Sequence, residues 1–472
     1  MVFSSTIFLI YFLPIVLVVN VILPKYLKNY WLLVASLFFY SWGEPSFFFV
    51  LIACSVINFF AVQKMNQLAD LKRKVLFSSL IVFNLAFLVY FKYSNFFIES
   101  INEGLAFLGN DLIKWNHVIL PIGISFFTFQ SLTYIIDVYR KDTQPQLYVH
   151  NYILYSFLFP HLIAGPIVKY NFVSDQIINR EETALKFIAG FVRFSIGLGK
   201  KVLIANVIGE YSRQLLYESN SVELTSGTVW LGMLAYTFQI YFDFSGYSDM
   251  AIGLGKMLGF HFPENFDRPY TSSSISEFWR KWHITLGDFM KNYLYIPLGG
   301  NKVSNWKIYR NLLIVFFLSG LWHGDNWTFI AWGLFHGFWL IIDRLFLLKI
   351  LNKIKFLAIP FTFLVVLNGW VLFQAPTIES AIKQYKIMWQ FDHFSLPLIQ
   401  NQTYFNLHVL FAFSICLLGL VPLIRRFSNT FISEQQKPIY LISTVLIAGI
   451  IFILSMAEVI AGNFNPFIYF KF

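Results

Sequence analysis

Two short polar segments inside an apolar chain carry the residue types best suited to acid–base chemistry. Residues 278–285 read FWRKWHIT and residues 320–324 read GLWHG, so each segment sets a histidine, His283 or His323, beside tryptophans. Lipid penalises a polar group that has neither a partner nor a function. An imidazole exchanges protons near neutral pH, so a positioned histidine can remove a proton from a hydroxyl nucleophile. We therefore consider these two histidines first as catalytic groups.

A structural alternative stays open for each of these histidines. A histidine flanked by tryptophans can be an interfacial anchor, with its ring at the level of the lipid headgroups. Glycines on both sides of His323 permit close backbone approach, and the neighbouring Asp325 and Asn326 are polar groups able to orient its ring. His336 follows Trp332 by four residues. We expect His336 to pack a helix or to support the site rather than to act in catalysis.

The FWRKWHIT segment lies in a more polar stretch between Pro263 and Asn311. Such a stretch is tolerated at membrane depth only where it lines a cavity or lies at the interface. Three serines precede Glu277, which is typical of a capped helix start. We expect a helix to carry FWRKWHIT, with Trp279 and His283 on one face and Trp282 adjoining. Proline and paired glycines should end this helix before the IPLGGN turn.

The chain as a whole is too apolar to be a soluble multi-domain protein. Of its 472 residues 57% are hydrophobic and only 13% are charged. Apolar runs long enough to cross a bilayer recur along it, so we expect an all-α polytopic integral membrane protein with roughly 10 to 13 transmembrane helices. Re-entrant or interfacial helices around a central chamber would complete the fold. No linker or internal repeat is evident, so a single membrane domain over residues 1–472 is the simplest organisation.

The net charge of +10 does not indicate nucleic-acid binding, because the basic residues are dispersed over the loops between apolar runs. Their distribution follows the positive-inside rule, and anionic membrane lipids are expected to meet some of them. Cys54 and Cys416 each lie in an apolar run and are expected to fill the core. Neither cysteine therefore suggests a disulfide or a metal ligand.

Several kinds of catalytic site are disfavoured by the motifs. The histidines lack close ligand spacing, and no cysteine cluster or HExxH pattern accompanies them, so we expect no metal site. No G-x-S-x-G elbow occurs, which argues against a serine hydrolase. The sequence around Lys256 lacks the remaining residues of a P-loop, so nucleotide hydrolysis is not indicated.

Several sequence blocks follow one another across most of the chain. The blocks are residues 120–140, residues 159–167, residues 241–249 with Asn265-Phe266 and Pro269-Tyr270, residues 278–301, and residues 320–324. Together they resemble the signatures of the membrane-bound O-acyltransferase superfamily, and within it the bacterial alginate O-acetyltransferase branch. The resemblance places the motif-bearing core at residues 118–340. It implies an O-acyltransferase in the bacterial cytoplasmic (inner) membrane.

The resemblance also implies roles for particular residues. His323 would be the essential catalytic histidine, and His283 would occupy the second active-site position. The candidates for binding substrate or lining a tunnel are Trp279, Trp282, Trp322, Asp243, Asp249, Asn326 and His336. No cofactor is expected to stay bound. The acyl donor would be acetyl-CoA, and the acceptor a cell-surface or secreted polysaccharide, reached directly or through a secreted or periplasmic acetyltransferase partner.

A physical argument supports such a chamber, because acetyl thioesters are made in the cytoplasm whereas the decorated polymer lies outside. A half-polar chamber passes the acetyl group without moving the whole donor. His323 would act as general base on an acceptor hydroxyl, while His283 would position the acyl group or stabilise the oxyanion. The cations expected to meet the donor phosphates are Lys200, Lys201, Arg280 and Lys281.

Two further questions stay open at the level of sequence. Asp243 and Asp249 either line the tunnel or form ion pairs within the bundle, and the ion pairs are favoured. The function has alternatives as well: D-alanyl transfer to teichoic acid, or the non-enzymatic roles of polysaccharide exporter and scaffold. An exporter usually shows paired repeats and broken helices in corresponding halves, and neither is evident here.

Overall fold

Helices make up the regular structure of this protein. The computed structural model describes residues 1–217, 224–391, 407–419, 438–462 and 467–468, and these ranges contain helices and no strand. The all-α prediction is therefore confirmed. The chain divides into two compact units, Met1–Phe187 with Leu254–Pro263, and Ile188–Gly253 with Glu264–Phe472. The assignment of the whole chain to a single membrane domain stays a prediction.

The first unit is built on long apolar helices that precede the polar segments. Its α-helices are α1 (Leu13–Ile22), α2 (Lys25–Gly43), α3 (Pro45–Gln67), α4 (Asp70–Phe107), α5 (Ile124–Arg140), α6 (Val149–Phe157), α7 (Phe159–Leu162) and α8 (Tyr170–Asn179). Pro45 starts α3, where a missing N–H costs nothing. Asn58 on α3 and Asn84 on α4 are both buried and exchange two hydrogen bonds of 2.9 Å. Paired amides of this kind join apolar helices that have no hydrophobic reason to associate in lipid.

The second unit holds the two histidine segments. Its α-helices are α9 (Ala184–Gly199, which begins in the first unit), α10 (Asn206–Leu216), α11 (Ser226–Met257, which ends in the first unit), α12 (Ile275–Lys281), α13 (Ile284–Met290), α14 (Asn305–His323), α15 (Trp327–Ile342), α16 (Leu348–Lys353), α17 (Lys355–Gln374), α18 (Ile378–Met388), α19 (Leu407–Gly419) and α20 (Pro438–Ile460). Short π-helical turns follow α9, α13 and α15. The turn after α13 ends at Tyr295, so the predicted helix end before IPLGGN is confirmed.

Four helices within the described residues are long and apolar enough to cross a membrane. They are Pro45–Gln67, Asp70–Phe107, Lys355–Gln374 and Leu441–Ile460, and shorter apolar helices cover Ile7–Ile22 and Leu407–Gly419. The protein is therefore a polytopic membrane protein. The larger number of spans expected from the sequence, and the central chamber, stay predictions.

Helices α14 and α15 pack closely because glycines line their contact. A Cβ atom at Gly320 would collide with the carbonyl oxygen of Phe329, and one at Gly333 would collide with that of Phe316. A Cβ atom at Gly324 would overlap the Phe329 ring. The glycines beside His323 thus permit the close backbone approach that the sequence predicts. This approach brings the end of α14 against the aromatic face of α15.

Candidate active site

The segment before the first histidine begins with a capped helix. The Ser274 hydroxyl accepts a hydrogen bond of 3.1 Å from the Glu277 N–H, and the Glu277 carboxylate accepts one of 2.8 Å from the Ser273 N–H. This reciprocal arrangement confirms the predicted capped start of α12. Burial raises the pKa of Glu277, but hydrogen bonds from Lys281 and Ser273 outweigh burial and hold the pKa at about 2. Glu277 is therefore ionised at neutral pH and favours the N-terminus of α12.

The prediction of one helix through FWRKWHIT is wrong at its last residues. Trp282 is extended (φ −100°, ψ 126°) and His283 is left-handed (φ 45°, ψ 55°), so α12 ends before them and α13 begins at Ile284. The Ile284 N–H instead donates to the carbonyl oxygen of Asn265, over 2.9 Å. The Ile284 N–H therefore bonds to a residue of a distant loop and not to a carbonyl one turn earlier in the helix. As a result His283 does not follow Trp279 along one helix face.

His283 lies in a closed environment held on one side by an amide. Its side chain is 1% exposed, and its Nδ1 lies 2.9 Å from Oδ1 of Asn265. The Phe244 ring meets the imidazole edge-on at a centroid distance of 4.7 Å, and the Trp322 ring lies 5.8 Å away. Among the described residues, Nε2 of His283 has no hydrogen-bond partner. The arrangement leaves this buried nitrogen available to a substrate.

His323 is the last residue of α14 and is 2% exposed. Its ring contacts Trp322, Trp332 and Phe373 at centroid distances of 4.8, 4.9 and 5.3 Å. Because Trp322 contacts both His323 and His283, the two histidines predicted to be catalytic share one indole. The structure therefore brings together residues that are 40 positions apart in the sequence.

His336 joins the same group of rings from α15. It is fully buried and packs edge-on against Trp279 at 4.9 Å and Trp332 at 5.1 Å. Neither of its ring nitrogens has a hydrogen-bond partner among the described residues. Trp282 reaches the group through Trp370, at 4.9 Å. The aromatic cluster, as we call it, comprises Trp279, Trp282, Trp322, Trp332, Trp370 and Phe373.

The two aspartates form the ion pairs that the sequence favours. Asp249 lies 2.6 Å from Arg193 and 2.7 Å from Lys200, and Asp243 pairs with Lys201. Asp243 also accepts a 2.8 Å hydrogen bond from a backbone N–H near the C-terminus. Lys200 and Lys201, two of the cations expected to meet donor phosphates, are thus paired with carboxylates. A role of these aspartates in lining a tunnel stays a prediction.

The other residues predicted near the site have local partners. Asn326 is the N-cap of α15: its oxygen accepts from the Thr328 N–H over 3.0 Å, and its Nδ2 donates to the Pro376 carbonyl over 2.8 Å. Lys281 pairs with Glu277 at 2.7 Å, whereas Arg280 is exposed. Asn326 therefore fixes the helix start that follows His323. Of the predicted phosphate-binding cations, Arg280 presents an exposed side chain.

Some residues of the site were not predicted from the sequence. Asn265 contacts His283, and Trp332 and Phe373 contact His323. The dipeptide Asn265-Phe266 was named together with the block at residues 241–249, which was the available indication for Asn265. No periodicity links Phe373 on α17 to His323 on α14, so only the packing of these helices reveals that contact.

The site offers nitrogen bases but no metal centre. Among the described residues, no group of three histidine, cysteine, aspartate or glutamate side chains is arranged to hold a metal ion. Two buried imidazoles that share an indole form a site suited to proton transfer away from bulk water.

Comparison with known proteins shows to which protein family the chain belongs. Residues 139–376 match the model of the membrane-bound O-acyltransferase family, and the chain belongs to that family. It is 38% identical to a probable alginate O-acetylase, AlgI, of Azotobacter vinelandii over the full length of both chains. It is 34% identical to the peptidoglycan O-acetyltransferase of Helicobacter pylori over 100% of this chain and 97% of that protein. A teichoic acid D-alanyltransferase of Streptococcus thermophilus is 28% identical over 48% of this chain and 58% of that protein. The protein is thus an O-acyltransferase.

Proposed function

We propose that this protein moves an acetyl group from a cytoplasmic thioester, acetyl-CoA, to hydroxyl groups of a cell-surface or secreted polysaccharide. The relatives that match over the full length are named for acetylation of alginate or peptidoglycan. The D-alanyltransferase is matched over about half of this chain. Acetyl transfer therefore has broader support than D-alanyl transfer. The membrane concerned would be the bacterial cytoplasmic membrane.

The proposed reaction needs one base and no bound cofactor. The acceptor hydroxyl oxygen attacks the thioester carbonyl carbon, and its proton passes to a histidine nitrogen. The carbon–sulfur bond then breaks, and the proton returns to the leaving thiolate, so the products are an acetyl ester and free CoA. We assign the general base to His323, with His283 facing the reacting groups. The aromatic cluster would exclude water, which would otherwise hydrolyse the thioester.

The observation that carries this proposal is the buried Nε2 of His283, which has no hydrogen-bond partner among the described residues. Leaving a buried polar atom unpaired costs about 1–3 kcal/mol. An unpaired buried polar atom calls for an explanation, and we take the substrate to be the missing partner of Nε2. The Trp322 ring contacts both His283 and His323, which supports the assignment of the two imidazoles to one site.

The acceptor is either the polymer or a hydroxyl on a partner acetyltransferase that later passes the group to sugar. Both routes present the same chemical group, an alcohol, to the same histidines. Purified protein in vesicles with acetyl-CoA and polymer, with or without a candidate partner, distinguishes them. Transfer without the partner supports the direct route, and transfer that requires it supports the relay.

Radiolabelled acetyl-CoA supplied to membranes tests the function. Wild-type membranes are expected to label polymer, and His323→Ala is expected to lose at least about 100-fold in rate because the base is missing. The exposed His408 offers a matched control, since His408→Ala removes the same ring from an exposed position on α19. The amount of folded protein is checked in each membrane sample.

The outcomes separate the competing functions. Full activity in His323→Ala would overturn the general-base assignment. Absence of label in the wild type, together with incorporation of D-alanine, would favour the teichoic acid reaction instead. Polymer export that continues in cells lacking the whole protein, while labelling stops, would exclude the exporter as the primary function.

A further inference from the structure

We propose that Asn265 is a positioning residue that fixes which nitrogen of His283 carries the proton. Asn265 is fully buried and comes from the loop after α11, 18 residues before His283. Its Oδ1 lies 2.9 Å from Nδ1 of the imidazole. Because a neutral imidazole donates from one nitrogen and accepts at the other, the polarity of this contact determines the character of Nε2.

The orientation of the Asn265 amide follows from its other neighbours. The backbone N–H of Thr285 lies 3.3 Å from Oδ1, and the Thr285 hydroxyl lies 2.9 Å from it. On its other side, Nδ2 lies 3.1 Å from the Ser248 hydroxyl. A backbone N–H can only donate, so the amide atom that faces it is the oxygen. A flipped amide would set two donors against each other.

The proton of neutral His283 therefore resides on Nδ1, which donates to Asn265. Nε2 then carries a lone pair, and it is this atom that is buried without a hydrogen-bond partner among the described residues. A neutral His283 in this tautomer accepts a hydrogen bond and cannot donate one from Nε2 to an oxyanion. Nε2 of His283 therefore meets a hydrogen-bond donor of the substrate, while the proton of the attacking hydroxyl passes to His323. Of the two roles that the sequence left open, this leaves positioning of the substrate and excludes donation from Nε2 to the oxyanion.

The backbone reinforces the same contact. His283 adopts φ 45°, a left-handed conformation that strains a residue bearing a side chain. The Ile284 N–H donates to the Asn265 carbonyl over 2.9 Å, and the Asp267 N–H donates to the Lys281 carbonyl over 3.0 Å. Residues on both sides of His283 are thus tied to the Asn265 loop. One residue holds the imidazole by its side chain and the strained turn by its main chain.

The proton position can be measured without any turnover. Protein labelled with ¹⁵N-histidine in lipid nanodiscs gives distinct nitrogen shifts for the two tautomers, and the His283 signals are those missing from His283→Gln. Wild-type protein is expected to show a protonated Nδ1 and an unprotonated Nε2. A protonated Nε2 with an unprotonated Nδ1 would overturn the inference. This measurement needs only the wild-type fold and one assignment variant.

Substitution of Asn265 tests the consequence for catalysis. Asn265→Leu keeps the approximate volume but removes the acceptor, and it should lower acetyl transfer by about 10- to 100-fold, as loss of a group that orients a functional histidine typically does. Asn265→Asp keeps an oxygen toward Nδ1 and should be more active than Asn265→Leu. Ser248→Ala is the matched control, because Thr285 still orients the amide and the Nδ1–H tautomer should persist.

The activity measurements on the Asn265 variants rest on the proposed function, whereas the ¹⁵N measurement of the tautomer does not. Wild-type protein with the Nδ1–H tautomer but without acetyl transfer to any polymer would overturn the proposed function and leave the tautomer assignment standing. Active wild-type protein in which Asn265→Leu and Asn265→Asp both keep the wild-type rate would overturn the positioning role. If Asn265→Leu does not fold, the comparison of Asn265→Asp with Ser248→Ala decides it: Asn265→Asp must keep the Nδ1–H tautomer.

Discussion

Each of the two units holds a fully enclosed histidine whose Nδ1 meets an amide side chain, but the polarity of the contact is opposite. In the second unit, Oδ1 of Asn265 faces His283. In the first, Nε2 of Gln130 lies 2.8 Å from Nδ1 of His161 and 3.3 Å from the His161 carbonyl oxygen. A carbonyl can only accept, so the atom of Gln130 that faces it is the amide nitrogen.

The two imidazoles therefore have opposite tautomers. His161 accepts at Nδ1 and carries its proton on Nε2, whereas His283 carries its proton on Nδ1. In each unit a fixed backbone group orients an amide side chain. This group is a carbonyl in the first unit and an N–H in the second. The oriented amide then determines the tautomer of the histidine. Histidine therefore presents a hydrogen-bond donor at Nε2 in the first unit and an acceptor at Nε2 in the second.

The largest effect expected from this comparison concerns rate. His283→Ala should reduce acetyl transfer by about 10²- to 10⁴-fold, because Nε2 can no longer accept a hydrogen bond that positions the substrate for attack. His161→Ala removes the ring that Gln130 contacts and should instead lower the folded fraction, at a cost of about 1–3 kcal/mol. Initial rates per folded molecule, with thermal stability measured in the same samples, check both expectations. An equal loss of rate per folded molecule in both variants would contradict the distinction.

An intermediate effect is expected where α14 and α15 cross. Gly320→Ala places a methyl group against the Phe329 carbonyl and should destabilise the protein by about 1–3 kcal/mol. Gly104 on α4 in the first unit is the matched control, because a Cβ atom there has no heavy atom within 4 Å. Gly104→Ala should leave stability unchanged or raise it by up to about 1 kcal/mol. Thermal unfolding in detergent measures both, and a stable Gly320→Ala protein would show that the helices move apart at little cost.

The smallest effect is expected at the start of α12. Ser274→Ala removes the side-chain cap and should cost about 0.5–2 kcal/mol. Ser276→Ala is the control, since its backbone N–H still donates to Asp343 over 2.9 Å. Thermal unfolding of the two variants should separate them. Equal midpoints would mean that tertiary contacts, rather than the cap, hold α12 in place.

The local features of the site were predictable because each depends on neighbouring residues. The Ser274 cap follows from serines placed before Glu277, and the close approach at Gly320 follows from the missing side chain. The break at Trp282 and His283 was not predictable. No proline or glycine stands there, and the hydrogen bond that stops the helix comes from Asn265, which is distant in the sequence.

The sequence by itself determined the apolar helical class, the O-acyltransferase family and the two histidines to be tested, since these depend on composition and on local motifs. Only the tertiary structure decided that Trp322 contacts both His283 and His323, that Asp243 and Asp249 pair with cations, and which atom of the Asn265 amide faces His283. The physical reason is that a tautomer depends on the polarity of one atom at hydrogen-bond distance, and packing brings that atom from another part of the chain.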